Sequence, residues 1–422
     1  MATRPQLEQI GEHLRRRSYC LLCEAEDLVL ALPLEPTPIA DRYLPEERLS
    51  EPQPRYPLDL YLCRSCGHVQ LPTVVDPELL FRDYGYVTSS SPGLVEHFGR
   101  QADEATRRVQ PKPGSLVVEI GSNDGSLLRF YADRGLRVLG VDPGLENARN
   151  ATASGIETIP DFFTSELARK VREERGPASI MAANNVFAHI NDLGDVADGV
   201  RELLAPDGIF VFEVSYLVDI LDRMLFDTVY HEHLSYHSIA PLKSFFAGHG
   251  LELFDVQRIE SKGGSIRGFV QLADGPRPVA PIVEELIALE DRMGLERLEV
   301  YEEYAQRIRQ AKSDVLELLE SAKRDGKVVA GLGASHTVTT LMFQFDLAHA
   351  IDFLVDENPA KQGTFSPVHH IPVLPPEALS ERDADYLVIL AWQYASRVME
   401  RMAWFGERGG RYVIPLPKLE VV

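Results

Sequence analysis

Hydrophobic and polar positions along this chain follow two periods. Short apolar runs of strand length stand at 117–120 (VVEI), Leu136–Asp142, Ile156–Pro160, Ser179–Asn185, Gly208–Val214, Ile351–Val355 and Tyr386–Trp392. Between them lie stretches with apolar positions at helical spacing, such as Leu94–Arg107. Strands alternating with helices predict α/β units with doubly wound parallel sheets. Two runs lead into glycine turns that open helices. One is 117–128 (VVEIGSNDGSLL). The other runs from Val328–Ala330 through Gly331-Leu-Gly333-Ala-Ser-His-Thr into a helix from about Thr337. The segment Pro281–Lys323 reads as one or two amphipathic helices with a break at Gly294. Lys262–Arg267 (KGGSIR) reads as a turn into a last strand.

Composition narrows the class. A chain of 422 residues holds two or three domains, and 45% hydrophobic residues are ample for packed cores. The net charge of −21 argues against a nucleic-acid partner, because phosphate backbones need a basic field. No apolar run approaches the ~20 residues of a membrane span, so no membrane partner is expected. Arg15, Arg16 and Arg17 precede no apolar signal core, so the expected location is cytoplasmic.

The four cysteines form two C-x2-C knuckles, Cys20/Cys23 and Cys63/Cys66. Paired knuckles predict a four-thiolate zinc site, which is coordinatively closed and therefore structural. The stretch between them carries Pro33, Pro36, Pro38, Pro45, Pro52, Pro54 and Pro57 and reads as extended loops. Beyond the second knuckle, Leu79–Pro92 (LLFRDYGYVTSSSP) gathers hydroxyls suited to a polar ligand: Tyr84, Tyr86, Ser89, Ser90 and Ser91. Ser90 or Ser91 before Pro92 also fits a helix start.

The first glycine turn offers Gly121, Ser122, Asn123, Asp124 and Gly125, and the next strand ends at Asp142, where an acid suits a ribose diol. The turn is not G-x-G-x-x-G, and Glu119 stands two residues before Gly121. A carboxylate there opposes a pyrophosphate and tolerates a sulfonium with an ammonium, which favours S-adenosylmethionine over NAD. Asn184, Asn185 and His189 follow a later strand at the ligand edge. Asp161, Phe162 and Phe163 either bracket an adenine or belong to the core.

The stretch 230–238 (YHEHLSYHS) carries the remaining chemistry. It lacks the H-E-x-x-H spacing of a zinc-protease helix. A metal on His231, His233 and His237, or a polar loop over a cleft, are alternatives. The preferred reading is proton chemistry, with a histidine near neutral pKa, an adjacent Glu232 and nearby tyrosines for an oxyanion. Arg267 is available to an anionic group. Gly331, Gly333, Ser335 and Thr337 offer amides and hydroxyls at a helix N-terminus suited to phosphate.

With both knuckles, E-x-G-S-N-D-G, Y-H-E-H and the N-P-A-K-Q-G turn at 358–363, the chain resembles the SAM-dependent sugar-nucleotide C-methyltransferases of deoxysugar pathways. The resemblance covers nearly the whole chain. It implies an α/β architecture: a small N-terminal zinc-binding domain (1–75), a class I methyltransferase Rossmann-like central domain (76–278), a helical linker (279–325) and a C-terminal Rossmann-like substrate-binding domain (326–422). It implies S-adenosylmethionine at Glu119–Gly125 and Asp142, with structural zinc. The implied substrate is a small molecule, a dTDP-linked or other nucleotide-linked 4-ketosugar methylated at C3. The implied active site uses Tyr86, Tyr230, Glu232 and His233. We expect His233 as the base that forms an enolate, Tyr86 and Tyr230 at the ketone, and Glu232 as orienter or alternate base, with His231 and His237 in reserve. Ser89, Ser90, Arg267, Gly333, Ser335, His336 and Thr337 are expected at the substrate, and Asn185 and His189 at the cofactor. The chain departs from the family's G-A-P-A-K-G-N-T turn, with Thr337 at the lysine position, so His336 is a candidate for the diphosphate. Alternatives are O- or N-methylation of a small polar metabolite, or a non-catalytic protein that binds the same ligands.

Overall fold

The computed structural model describes residues 7–82 and 84–422. The chain divides into two compact units, neither continuous in sequence. The first comprises the segment up to Val29, Leu62–Leu217 and Leu234–Glu296; the second comprises Leu30–Tyr61, Val218–His233 and Arg297–Val422. This partition differs from the boundaries expected above. Leu30–Tyr61, expected beside the cysteines, is bonded to the C-terminal part: Glu35 and Gln344 exchange two hydrogen bonds, and Leu44 bridges Phe365. Likewise Thr340 Oγ1 donates to the Val229 carbonyl at 2.7 Å. The linker divides as its glycine predicts, at Gly294 in the left-handed region (φ 72°).

The first unit holds a seven-stranded sheet. In chain order its elements are α1 (Pro92–Val109), β1 (Leu116–Ile120), α2 (Ser126–Ala132), β2 (Arg137–Val141), α3 (Leu145–Ala153), β3 (Thr158–Ile159), α4 (Ser165–Arg175), β4 (Ala178–Asn184), α5 (Leu193–Leu203), β5 (Leu204–Ser215), α6 (Ile239–Gly248), β6 (Leu251–Ile259), β7 (Ser265–Leu272) and α7 (Pro281–Met293). The strand order is β3-β2-β1-β4-β5-β7-β6, with β7 antiparallel to both neighbours and the pairs from β3 to β5 parallel. The near-continuous apolar character of β1 and β4 follows from cover on both faces. Phe98, Ala102 and Ala105 of α1 and Leu127, Leu128 and Tyr131 of α2 pack with Val117, Ile180, Ala182 and Val211 in one core. The order reverses between β1 and β4, and open α/β sheets bind ligands at the carboxyl ends of the strands at such a switch point.

The second unit repeats the logic. Its elements are α8 (Leu298–Arg324), β8 (Val329–Leu332), α9 (His336–Phe345), β9 (Phe353–Val355), β10 (Val373–Leu374), β11 (Tyr386–Ile389), β12 (Arg411–Ile414) and β13 (Glu420–Val421). The order β10-β9-β8-β11-β12-β13 is the doubly wound 3-2-1-4-5-6 pattern with an antiparallel last strand, and its switch point lies between β8 and β11. Ala330, Phe353, Leu387, Ile389 and Phe405 form its core. Among the described residues no helix is long and apolar enough to cross a membrane.

Candidate active site

The turn after β1 is shaped by steric necessity. Gly121 and Gly125 have φ of +68° and +75°, and a Cβ on them would stand 2.3 Å from Val186 Cγ2 and 2.9 Å from Ile156 Cγ2. Positive φ and close packing together restrict both positions to glycine, which leaves this turn without side chains there. Asp142 at the end of β2 grips this turn: its carboxylate accepts the Asn123 N–H at 2.7 Å and the Gly144 N–H at 2.8 Å. Burial nevertheless leaves its pKa raised. Glu119 is 2% exposed, and its Oε2 is buried without a partner. Burial, with Asp142 and Asp124 adding repulsion, holds its carboxyl well above the usual range. A buried carboxyl lacking a donor beside a glycine cradle fits a cationic ligand better than a phosphate. On that ground these residues fit S-adenosylmethionine.

Asn123 and Asp124, expected at the cofactor, fasten the hydroxyl-rich turn with their side chains. Asn123 Oδ1 accepts the Thr88 N–H at 2.9 Å and its Nδ2 donates to the Tyr86 carbonyl at 2.9 Å, while Asp124 Oδ2 accepts the Ser89 N–H at 3.0 Å. Asn147 Nδ2 donates to the Tyr86 carbonyl as well. Tyr86 is thus held through its backbone, with the side chain 37% exposed; Ser89 and Ser90 are also exposed. Ser122 is buried with its Oγ unpartnered. Asn185 adopts φ 55° and donates its N–H to the Glu213 carbonyl. His189 stacks on Phe81 with ring centroids 5.8 Å apart. Phe163 is core, packed at Gly199, and Phe162 lies under the Arg82 guanidinium.

Arg267, expected at an anionic group of the substrate, stands opposite Glu213 in the β5–β7 register. Its Nε and Nη2 donate to Glu213 Oε1 at 2.6 and 2.5 Å. Glu213 Oε2 also accepts from His97 Nε2 of α1 at 2.8 Å. One turn on, Gln101 donates to Asn184 at 2.8 Å. The i, i+4 pair His97/Gln101 thus docks α1 on the ends of β5 and β4.

The second unit gathers the other cluster. His233 Nδ1 donates to the Thr228 carbonyl at 2.7 Å, so in the neutral ring Nε2 is the nitrogen that accepts a proton. The Tyr230 ring lies 4.0 Å from His233 and 5.3 Å from His336. Glu232 is buried, and its Oε1 meets His336 Nε2 at 3.1 Å. His336 Nδ1 lies 3.8 Å from Asp41 Oδ2, and Asp41 Oδ1 accepts Lys361 Nζ at 2.8 Å. His336, expected at a diphosphate, therefore faces a carboxylate on each ring nitrogen. Gly333 has φ +116°, and Ser335 Oγ lies 3.3 Å from Thr337 Oγ1. Asp356 grips this turn by accepting the Ala334 N–H at 2.7 Å, as Asp142 does in its own sheet. His231, expected in reserve, is buried. Its ring meets Tyr56 edge-on, and burial pushes its pKa down to about 4.

The four cysteine sulfurs all lie within 4.8 Å of one another, with Cys20–Cys66 and Cys23–Cys63 at 3.6 Å. A zinc tetrahedron with sulfurs ~2.3 Å from the metal has edges of about 3.8 Å, so the set fits zinc. Among the described residues no other group of three or more such side chains is placed to hold a metal.

Three family matches tile the chain: a zinc binding domain over residues 20–81, a methyltransferase domain over 95–256 and a C-methyltransferase C-terminal domain over 260–417. The C-methyltransferase NovU of Streptomyces niveus is 37% identical over 404 residues, 96% of either chain. The chain belongs to the C-methyltransferase family. Among solved structures, a S-adenosylmethionine-dependent methyltransferase from Clostridium acetobutylicum is 12% identical, covering 42% of this chain and 92% of its own at a TM-score of 0.35. The CcbJ methyltransferase from Streptomyces caelestis is 16% identical, covering 42% and 89% at 0.33. As a C-methyltransferase the chain is an enzyme that takes its methyl group from S-adenosylmethionine and carries a structural zinc. Three residues of this C-methyltransferase escaped the sequence reading: His97, Asp41 and the role of Lys361. His97 stands four residues before Gln101 on a helix that faces strand ends, a weak signal that was there to be found. Asp41 sits in a proline-rich loop with none.

Proposed function

We propose that this C-methyltransferase methylates the carbon next to the ketone, C3, of a nucleotide-linked 4-ketosugar through an enolate, acting in the cytoplasm. The observation that carries the reading is the fixed tautomer of His233 beside Tyr230 and Glu232. A ketone acidifies its adjacent C–H. His233 Nε2 takes that proton as general base, a role typically worth 10²–10⁴-fold. Tyr230 donates to the developing oxyanion, and Glu232 orients Tyr230 and His233. S-adenosylmethionine supplies an electrophilic methyl group when bound. Glu119, the Gly121–Gly125 turn, Asp142, Asn185 and His189 bind and orient it. Gly333, Ser335 and Thr337, at the switch point of the second sheet, hold the nucleotide diphosphate through amides and hydroxyls.

Mass spectrometry of dTDP-, GDP- and CDP-linked ketosugars incubated with enzyme and S-adenosylmethionine tests the reading, with gain of one methylene expected. In heavy water without the cofactor, the enzyme should exchange the hydrogen next to the ketone. Methylation without such exchange would point to an oxygen or nitrogen acceptor and overturn the enolate.

A further inference from the structure

We propose that His336 is a positioning residue for Glu232, held between two carboxylates rather than offered to a phosphate. The proposal rests on the reading of Glu232, Tyr230 and His233 as the groups that handle the acceptor. His336 is the first residue of α9, immediately after the glycine turn that follows β8. Its Nε2 meets Glu232 Oε1 at 3.1 Å and its Nδ1 faces Asp41 Oδ2 at 3.8 Å. A ring that faces acceptors from both nitrogens is satisfied as the imidazolium, the only form with two N–H donors. Asp41 is itself neutralised by Lys361, whose Nζ reaches its carboxylate at 2.8 Å and its carbonyl at 3.3 Å. Charges therefore alternate along Lys361, Asp41, His336 and Glu232, and the Tyr230 ring covers the imidazole at 5.3 Å.

The arrangement solves a problem of burial. Glu232 is 5% exposed, and a carboxylate so far from water neutralises unless a cation stands by it. His336 provides that cation and fixes the direction of the carboxylate. Burial disfavours the imidazolium, but Glu232 and then Asp41 outweigh burial and the repulsion of Lys361, and the pKa is raised. The same imidazole is 5.3 Å from the ring that lies 4.0 Å from His233, so it also walls the place of Tyr230. Above its raised pKa the imidazole is neutral and its ion pair with Glu232 is lost.

Full-length His336→Gln, His336→Ala and Asp41→Asn test this by a split of constants. His336→Gln and His336→Ala should lower kcat about tenfold or more while KM for the ketosugar nucleotide stays within about threefold, as for a group acting after binding. Asp41→Asn should move kcat less in the same direction. The high-pH limb of the wild-type kcat profile should vanish in His336→Gln. A rise in KM with kcat unchanged would return His336 to the diphosphate and overturn the proposal. A second readout needs no turnover: NMR titration of the His336 imidazole in the resting enzyme. Glu232→Gln should lower its pKa by about one unit or more, and an unmoved pKa overturns the pairing. If wild type methylates no ketosugar nucleotide yet Glu232→Gln lowers that pKa, the acceptor reading falls while the pairing is supported.

Discussion

The Asp142 carboxylate accepts the backbone N–H of Asn123 at 2.7 Å, and this bond ties the tip of one strand to the glycine turn of its neighbour. Asp356 does the same to Ala334 in the other sheet. Each acid therefore shapes the glycine turn of its own sheet. Asp142→Asn should weaken S-adenosylmethionine binding by about 10-fold or more, one lost charge-assisted bond being worth ~1.5–3 kcal/mol. Asp356→Asn should leave that binding unchanged and raise KM for the acceptor. Calorimetric titration of the cofactor with both variants checks the pair.

On the proposed placing of the cofactor at Glu119, this carboxyl should make cofactor binding depend on pH. Its folded pKa is raised above an unfolded value of ~4.3, so the folded apo state binds more protons than the unfolded one. Stability from this group is present below ~4.3 and is lost as pH rises toward the folded value. A sulfonium and ammonium favour the ionised form. The thermal shift produced by S-adenosylmethionine should thus grow with pH in wild type and be flat in Glu119→Gln. Melting curves with and without cofactor from pH 6 to 9 decide it.

His231 and His233, two residues apart, should separate cleanly. His231, depressed to about 4, stays neutral through the working range. Its contribution to stability is present above its unfolded value of ~6.5 and is lost as pH falls from there toward 4, at about 1.4 kcal/mol per unit. His231→Gln should lower Tm and change kcat little in the folded enzyme. His233→Gln should lower kcat 10²-fold or more with Tm nearly unchanged. Equal kinetic damage from both would remove the distinction.

Zinc should be structural. Metal analysis should return one ion per chain, from one four-cysteine group. Cys63→Ser, at a fully buried ligand, should abolish zinc and lower Tm by many degrees. Zinc removal that left Tm unchanged while stopping catalysis would contradict the assignment.

Much of this was legible before any coordinates. Strand-length runs marked nearly every parallel strand, and the C-x2-C pairs announced a metal, because local periods and spacings carry that information. β6 and α6 passed unmarked, since Leu251–Ile259 breaks its alternation at Leu253–Phe254 and 239–248 is too apolar for a helical stripe. Side-chain destinations were harder. Arg267 meets Glu213 through an antiparallel register that no local window contains. Asn123 and Asp124 lie in the expected turn, but what they bind is set by a loop 35 residues earlier. His336 gained its carboxylates from Glu232 and Asp41, more than 100 and nearly 300 residues away in sequence.

The discontinuity of the two units bears on synthesis. Leu30–Tyr61 leaves the ribosome early, yet its partners Gln344, Thr339 and Phe365 are more than 270 residues behind it. Throughout that interval the first unit can close its seven-stranded sheet, while this proline-rich segment waits without the surface that will cover it. Its seven prolines suit such a wait, since they deny an aggregating neighbour the backbone N–H groups a growing β-ladder would need.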